Sequence, residues 1–355
     1  MSRGSRRSAR IVGLRGVAYG HTGGMRVALV LGGGGVIGLA YHAAALAAIE
    51  HDLGWDPRSA DVVVGTSAGS LVGALLRRGV TASDLSAIIV GDEPRSSPPG
   101  VADALRERPE FPPVRLGSFL GRPRLPSAAL IAAWAQRPWR LDPIAALASV
   151  LPDGSLDLAQ HATAIERVLG AEWPNDDLWL CTVRQNDLRR VVIGRDVWAP
   201  LSTAVCASCA IPGYFRPVGI GGRPHIDGGV RSPTNADVLR RHHVDLAIIV
   251  SPMAGRDLGL LGPGNLIRRR ARRQVERERD LLQRAGIPSV LVEPGPETVD
   301  VMGLDFMSHA NLREIVRAAF FDTGEQLRAP IARRLLAGLN NRTRPACSRP
   351  RRPAA

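Results

Sequence analysis

The apolar positions of this chain fall into short unbroken runs separated by longer, helix-like stretches. Arg26–Leu31 ("RVALVL") and Val62–Gly65 ("VVVG") have the length and β-branched content of buried strands. Between them Val36–His51 is rich in alanine and leucine and uncharged until Glu50, as a buried helix would be. Ala68–Arg78 repeats that texture and stops at Gly79. Strand, helix, strand, helix at this spacing predicts parallel strands covered on both faces. Further strand-like runs occur at Leu178–Val183, Arg190–Ile193, Arg223–Asp227, Leu246–Val250 and residues 289–292. Helices are expected at Leu156–Leu169, Ile267–Ala285, Asn311–Phe321 and Pro330–Leu339. The fold class is therefore α/β, a three-layer α/β/α arrangement around a mainly parallel central sheet.

Two stretches depart from this rhythm. Residues 91–155 are dense in proline from Pro94 to Pro126 and read as an insertion, or a cap over a site. Trp134 and Trp139 lie in it, as packing or as cover for an apolar ligand. Val27–Ile49 is uncharged and long enough to suggest a membrane span. Four consecutive glycines interrupt it, so strand, turn and helix is the better reading. Ile267–Ala285 carries a crowd of arginines at 268–273 followed by Glu276, Glu278 and Asp280. Mixed signs of this kind predict a solvated face.

The net charge of +13 suggests a nucleic-acid binder until it is located. Residues 1–25 and 340–355 hold ten arginines and no acid, and removing those ten from +13 leaves +3 for residues 26–339. The basicity belongs to two tails, 1–24 and 340–355, expected to be disordered and solvated. The folded domain is expected over 25–339, with no nucleic-acid partner. Cys206 and Cys209 form the only C-x-x-C, among small apolar neighbours, and read as buried structural thiols. No ligand cluster suggests a metal, and no cofactor is expected. A cytoplasmic location is expected, with peripheral membrane contact left open.

Three motifs carry candidate chemistry. Gly65-Thr66-Ser67-Ala68-Gly69 is G-x-S-x-G between a strand and a helix, where a serine is held on a sharp turn and glycines on either side let strand and helix pass. Its bland alternative is a βα turn with a serine cap. Gly32–Gly35, followed by Gly38, offers bare N–H groups to an anion, either a phosphate or a reaction oxyanion. Gly33–Gly38 also fits the dinucleotide fingerprint, but the second strand lacks the acid that would hold a ribose. His225-Ile226-Asp227-Gly228-Gly229 puts a carboxylate at a strand end before a tight turn.

In this order the three motifs, with "AYHAAAL" and "ASCAIPGYFRPV", resemble the patatin-like phospholipases over about residues 26–250. The resemblance implies a serine acyl hydrolase with a Ser–Asp dyad and no histidine, acting on lipid or other acyl esters. Ser67 would be the nucleophile and Asp227 its base, also activating the water that releases the acyl group. Gly33, Gly34 and Gly35, with Ala68, would donate to the oxyanion, and Gly38 completes the loop. Gly65, Gly69, Gly228 and Gly229 would be supporting positions. An aspartate is a weak base for a hydroxyl, so Asp227 is expected to be desolvated and within hydrogen-bond reach of Ser67. One position departs from the family: its loop usually carries an arginine or lysine where this chain has Ile37. Two other readings remain. One is a Ser–His–Asp hydrolase using His309, four residues after Asp305. The other is a non-catalytic basic protein that binds lipid or RNA through its tails.

Overall fold

A computed structural model describes residues 24–97, 101, 123–136, 142–170, 172–259 and 263–339. Both arginine-rich tails, except Gly24, much of the 91–155 insertion and Trp139 lie outside the described residues. From the N-terminus the elements are β1 (Val27–Leu31), α1 (Gly35–Leu53), β2 (Val62–Thr66), α2 (Ala68–Arg77) and α3 (Ala82–Val90). The insertion contributes α4 (Ala128–Gln136) and α5 (Pro143–Val150), and α6 (Ala159–Leu169) follows. Next come β3 (Asp177–Arg184), β4 (Arg190–Ile193), α7 (Leu201–Ser208), β5 (Val218–Ile220) and β6 (Arg223–Asp227). The chain closes with β7 (Leu246–Val250), α8 (Pro263–Arg284), β8 (Ser289–Val292), α9 (Pro296–Met302), α10 (Leu312–Arg328) and α11 (Pro330–Leu336).

These strands form one sheet, joined in the order β5-β6-β3-β2-β1-β7-β8, with β4 also on β3. The β3-β2-β1-β7-β8 stretch is parallel throughout, and β4, β5 and β6 join antiparallel. Side chains alternate between the two faces as strand geometry requires. Val27, Leu29 and Leu31 point into a core with α1, α2, α3, α7 and α10. Ala28 and Val30 point into a second core with Val275 and Leu282 of α8. The α/β/α layering follows, as the hydrophobic pattern predicts. Helix α1 packs against α2, α3 and α10, which explains why nearly all its faces are apolar. Among the described residues no helix is long and apolar enough to cross a membrane.

Two details go beyond the sequence expectation. Helix α8 is solvated on one face only. Its inner stripe runs through Arg268, Ala271, Val275, Glu278 and Leu282, so a guanidinium and a carboxylate are buried with the apolar residues. The short elements α3, α7, α9 and β5 carry too little periodicity to stand out from the sequence.

The register around β3 decides where the chemistry goes. Cys181 pairs with Val192 of β4 and Thr66 of β2, while Thr182 pairs with Val191 of β4 and Asp227 of β6. A strand residue has one neighbour on each edge, so β4 occupies one edge and β2 and β6 share the other. Since β2 runs parallel to β3 and β6 antiparallel, they approach each other and stop head to head at Thr66 and Asp227.

Helix α2 leaves this junction very close to β1. A Cβ at Gly69 would stand 2.1 Å from the Leu31 carbonyl oxygen, which neither backbone can yield to. Gly69→Ala should therefore destabilise the protein by about 3 kcal/mol or more, read from urea unfolding. A loss below about 1 kcal/mol would mean that α2 is free to shift.

Candidate functional site

Ser67 follows β2 directly and precedes the first residue of α2. Its backbone is held at φ 53°, ψ −123°, a strained conformation for a side chain bearing a Cβ. Several contacts hold it there. The Ser67 N–H donates to Ser208 Oγ at 3.0 Å, and Ser208 Oγ donates to the Cys181 carbonyl at 2.8 Å. The Ser67 carbonyl accepts from Ser70 Oγ at 2.6 Å and Ser70 N at 2.8 Å. Gly65 faces Ser70, where a Cβ would stand 2.6 Å from its Cα. The serine lies at the N-terminus of α2, where the helix dipole favours negative charge.

Asp227 ends β6 across the junction from Ser67 and is only 5% exposed. Its Oδ1 accepts from Gly229 N at 2.7 Å, and its own N–H donates to the Ala210 carbonyl at 2.9 Å. Burial pushes the carboxyl up from 3.8 to about 6, against the lowering effect of the Gly229 and Ser67 hydrogen bonds. A weak acid is thereby made a better base. Gly228 turns the chain across β3, where a Cβ would stand 2.3 Å from the Cys181 carbonyl oxygen.

The glycine loop lies against this pair: a Cβ on Gly33 would be 3.3 Å from that of Ser67. Its amides are not equivalent. Gly32 donates to Val250 at 2.9 Å, Gly33 to the Pro233 carbonyl at 2.8 Å and Gly38 to Gly34 at 2.9 Å. Among the described residues, Gly34, Gly35 and Ala68 have N–H groups with no acceptor. Gly33 and Gly38 therefore hold the loop in place, and Gly34, Gly35 and Ala68 are the amides left over for an anion. Gly35 has φ +60° and presses on the Phe306 carbonyl, so it admits no side chain. From beneath, His42 Nε2 donates to the Gly32 carbonyl at 2.7 Å, and burial lowers its pKa to about 4, keeping it neutral.

Several residues at the site carry no motif signal. Asn235 joins the two halves: its amide donates to Thr66 Oγ1 at 3.1 Å, Gly228 O at 3.3 Å and Ser232 O at 2.7 Å. Glu278 of α8 anchors the same loop, accepting from Thr234 Oγ1 at 2.6 Å and Ala236 N at 2.8 Å. Cys209 lies 3.7 Å from Ser70 Oγ, while Cys206 donates to the Leu158 carbonyl, so the two thiols are unpaired and have separate partners. Burial raises both thiol pKa values. His225 shares the face of Asp227 but bonds Thr182 Oγ1 at 2.9 Å. Asp305 and His309 lie exposed on the segment between α9 and α10, where Asp305 accepts from Met307 N at 3.0 Å. Among the described residues no cluster of His, Cys, Asp and Glu could hold a metal ion.

The buried Asp227 has a cost that can be measured. The folded carboxyl keeps its proton up to about pH 6, whereas an unfolded aspartate releases it near 3.9. Between those values the folded state binds more protons, so this residue costs stability as pH rises. Asp227→Asn should therefore gain about 2 kcal/mol more at pH 8 than at pH 4, by urea unfolding at both. Equal gains would show a carboxyl that is not desolvated.

Comparison with known proteins places the chain. A family model described as patatin-like phospholipase matches residues 29–240. Among solved structures, VipD from Legionella pneumophila is similar at 13% identity and a TM-score of 0.41, covering 88% of this chain and 67% of that one. The type III effector ExoU is similar at 18% identity and a TM-score of 0.33, covering 86% of this chain and 53% of that one. In its complex with SpcU, from Pseudomonas aeruginosa, ExoU gives 18% identity and a TM-score of 0.34, covering 89% and 52%. The chain thus spans about half the length of the ExoU chains. No curated protein matches it. With the family model covering well over half of its length, and with the parallel sheet expected of it, this chain belongs to the patatin-like phospholipase family.

Proposed function

We propose that this protein is a serine hydrolase of lipid acyl esters, of phospholipase A, lysophospholipase or esterase type, working through a Ser67–Asp227 dyad. The observation that carries the reading is the meeting of a strained serine and a buried aspartate at two facing strand ends. Asp227 takes the Ser67 proton as Oγ bonds to the ester carbonyl carbon. The carbonyl electron pair moves onto oxygen, where the amides of Gly34, Gly35 and Ala68 receive it. As the ester C–O bond breaks, Asp227 returns the proton to the leaving alcohol. Water then repeats the sequence on the acyl-serine, with Asp227 as its base, and the acid leaves. These groups supply nucleophile, base and oxyanion donors from the chain alone.

A lipid substrate and peripheral contact with a membrane fit the surroundings. Ala145 and Ala148 of α5 pack with Ile226 and Val230 on either side of Asp227 in sequence. The same helix leaves Ile144 and Leu147 exposed, and Ile131 of α4 is exposed as well. Apolar side chains near the site suit acyl chains better than small polar esters.

Hydrolysis of a short-chain nitrophenyl ester tests the dyad. Ser67→Ala and Asp227→Asn should each lower kcat by roughly 10³-fold or more, while His309→Ala stays within about threefold. An equally inactive His309→Ala would replace the dyad with a triad. Because Asp227 must be ionised to act as base, kcat/KM should rise with pH through about 6 and level off above it. A limb centred near 4 would mean that burial does not set the base strength.

A further inference from the structure

Arg268 is a buried charge without a counter-charge among the described residues. It is 1% exposed, in the first turns of α8. Its Nη1 donates to the carbonyls of Pro252 at 2.7 Å and Ala254 at 3.2 Å, and Nη2 reaches Met302 Sδ at 3.9 Å. Its Cζ lies 5.8 Å from the centre of the Phe306 ring. Among the described residues no carboxylate pairs with it. Burial lowers its pKa only to about 10, so it stays cationic at neutral pH. Burying an isolated ion is destabilising, and carbonyl dipoles recover only part of that cost.

The neighbours of Arg268 indicate where its charge is felt. Pro252 and Phe306 wall in the glycine loop. The Pro252 ring lies 3.0 Å from where a Gly34 Cβ would stand, and the Phe306 carbonyl 2.3 Å from that of Gly35. The same Phe306 carbonyl accepts from Val36 N at 2.7 Å. Arg268 thus lies against both residues that wall in Gly34 and Gly35. The loop itself, Leu31–Gly38, carries no charged side chain. We propose that Arg268 is a positioning residue for the oxyanion site, whose positive charge, applied from behind Pro252 and Phe306, stabilises the negative oxygen formed at Gly34 and Gly35. No carboxylate among the described residues balances the charge in the resting protein, and the tetrahedral intermediate supplies a negative oxygen that does. This inference rests on the acyl-hydrolase reading.

The test uses the full chain, a nitrophenyl ester and an alkyl trifluoromethyl ketone. In the ketone adduct Ser67 Oγ bonds the carbonyl carbon, the electron pair moves to oxygen and Asp227 receives the proton, so inhibition reports oxyanion binding. Arg268→Gln keeps a donor for the Pro252 carbonyl without charge, and Arg268→Lys keeps the charge. Arg268→Gln should lower kcat roughly ten- to hundredfold with KM within about twofold, and weaken the ketone by a similar factor. Arg268→Lys should recover most of both. The proposal is overturned if Arg268→Gln keeps kcat and ketone affinity within twofold. It is also overturned if kcat falls while ketone affinity does not, or if Arg268→Lys is as impaired as Arg268→Gln. Should Arg268→Gln fail to fold, the ketone affinity of Arg268→Lys decides, with a loss beyond tenfold counting against it. A wild type inert toward every ester removes the hydrolase reading and this one with it. An active wild type beside an unaffected Arg268→Gln removes only this one.

Discussion

The site depends on one edge of β3. Two strands of opposite direction use that edge in succession, and neither continues past the point where they meet. The two strands bring Ser67, the residue after β2, and Asp227, the last residue of β6, to the same junction. Side-chain packing does not have to bring these groups together, because the backbone ladder has already done so. What remains is to keep the junction from relaxing. Ser208 holds the serine amide, Asn235 ties Thr66 to Gly228, and Glu278 anchors the loop that carries Asn235.

The glycines around the junction have separable tasks. Gly69 and Gly228 are places where backbone meets backbone, so any side chain there would collide. Gly33 and Gly38 use their amides to fix the loop. Gly34 and Gly35 keep theirs unused, and that is the resource an anion needs. Desolvation unites the rest of the chemistry: it raises Asp227, lowers His42 and leaves Arg268 a costly cation. Burial that is expensive for folding thus shifts three groups packed on or near the glycine loop and the strand junction.

Much of this was legible from residue order. The β1–α1–β2–α2 unit followed from apolar runs and glycine punctuation, and Ser67 and Asp227 from motifs whose spacing reflects backbone clearance. Ser208 and Asn235 were not legible, because their roles depend on contacts 141 and 169 residues away in sequence. Arg268 was hidden for a different reason. It lies in a run of arginines, and composition cannot tell which one turns inward. Only the helical phase, set by Val275 and Leu282 packing under the sheet, selects it. The sequence likewise treated the loop glycines as equal donors, since which amides are occupied depends on Pro233, Val250 and Phe306.

The order in which the strands enter the sheet also bears on synthesis. Ser67, the proposed nucleophile, and the glycine loop belong to the first supersecondary unit, but β6 and its carboxylate arrive late, and β7, which closes the free edge of β1, arrives later still. A chain emerging from the ribosome through β2 and α2 therefore displays its serine with neither a base nor a finished loop, since the Pro233 and Val250 carbonyls that anchor Gly33 and Gly32 are not yet made. Under the proposed mechanism, reactivity toward acyl esters is thus withheld from the nascent chain and granted only to the nearly complete one.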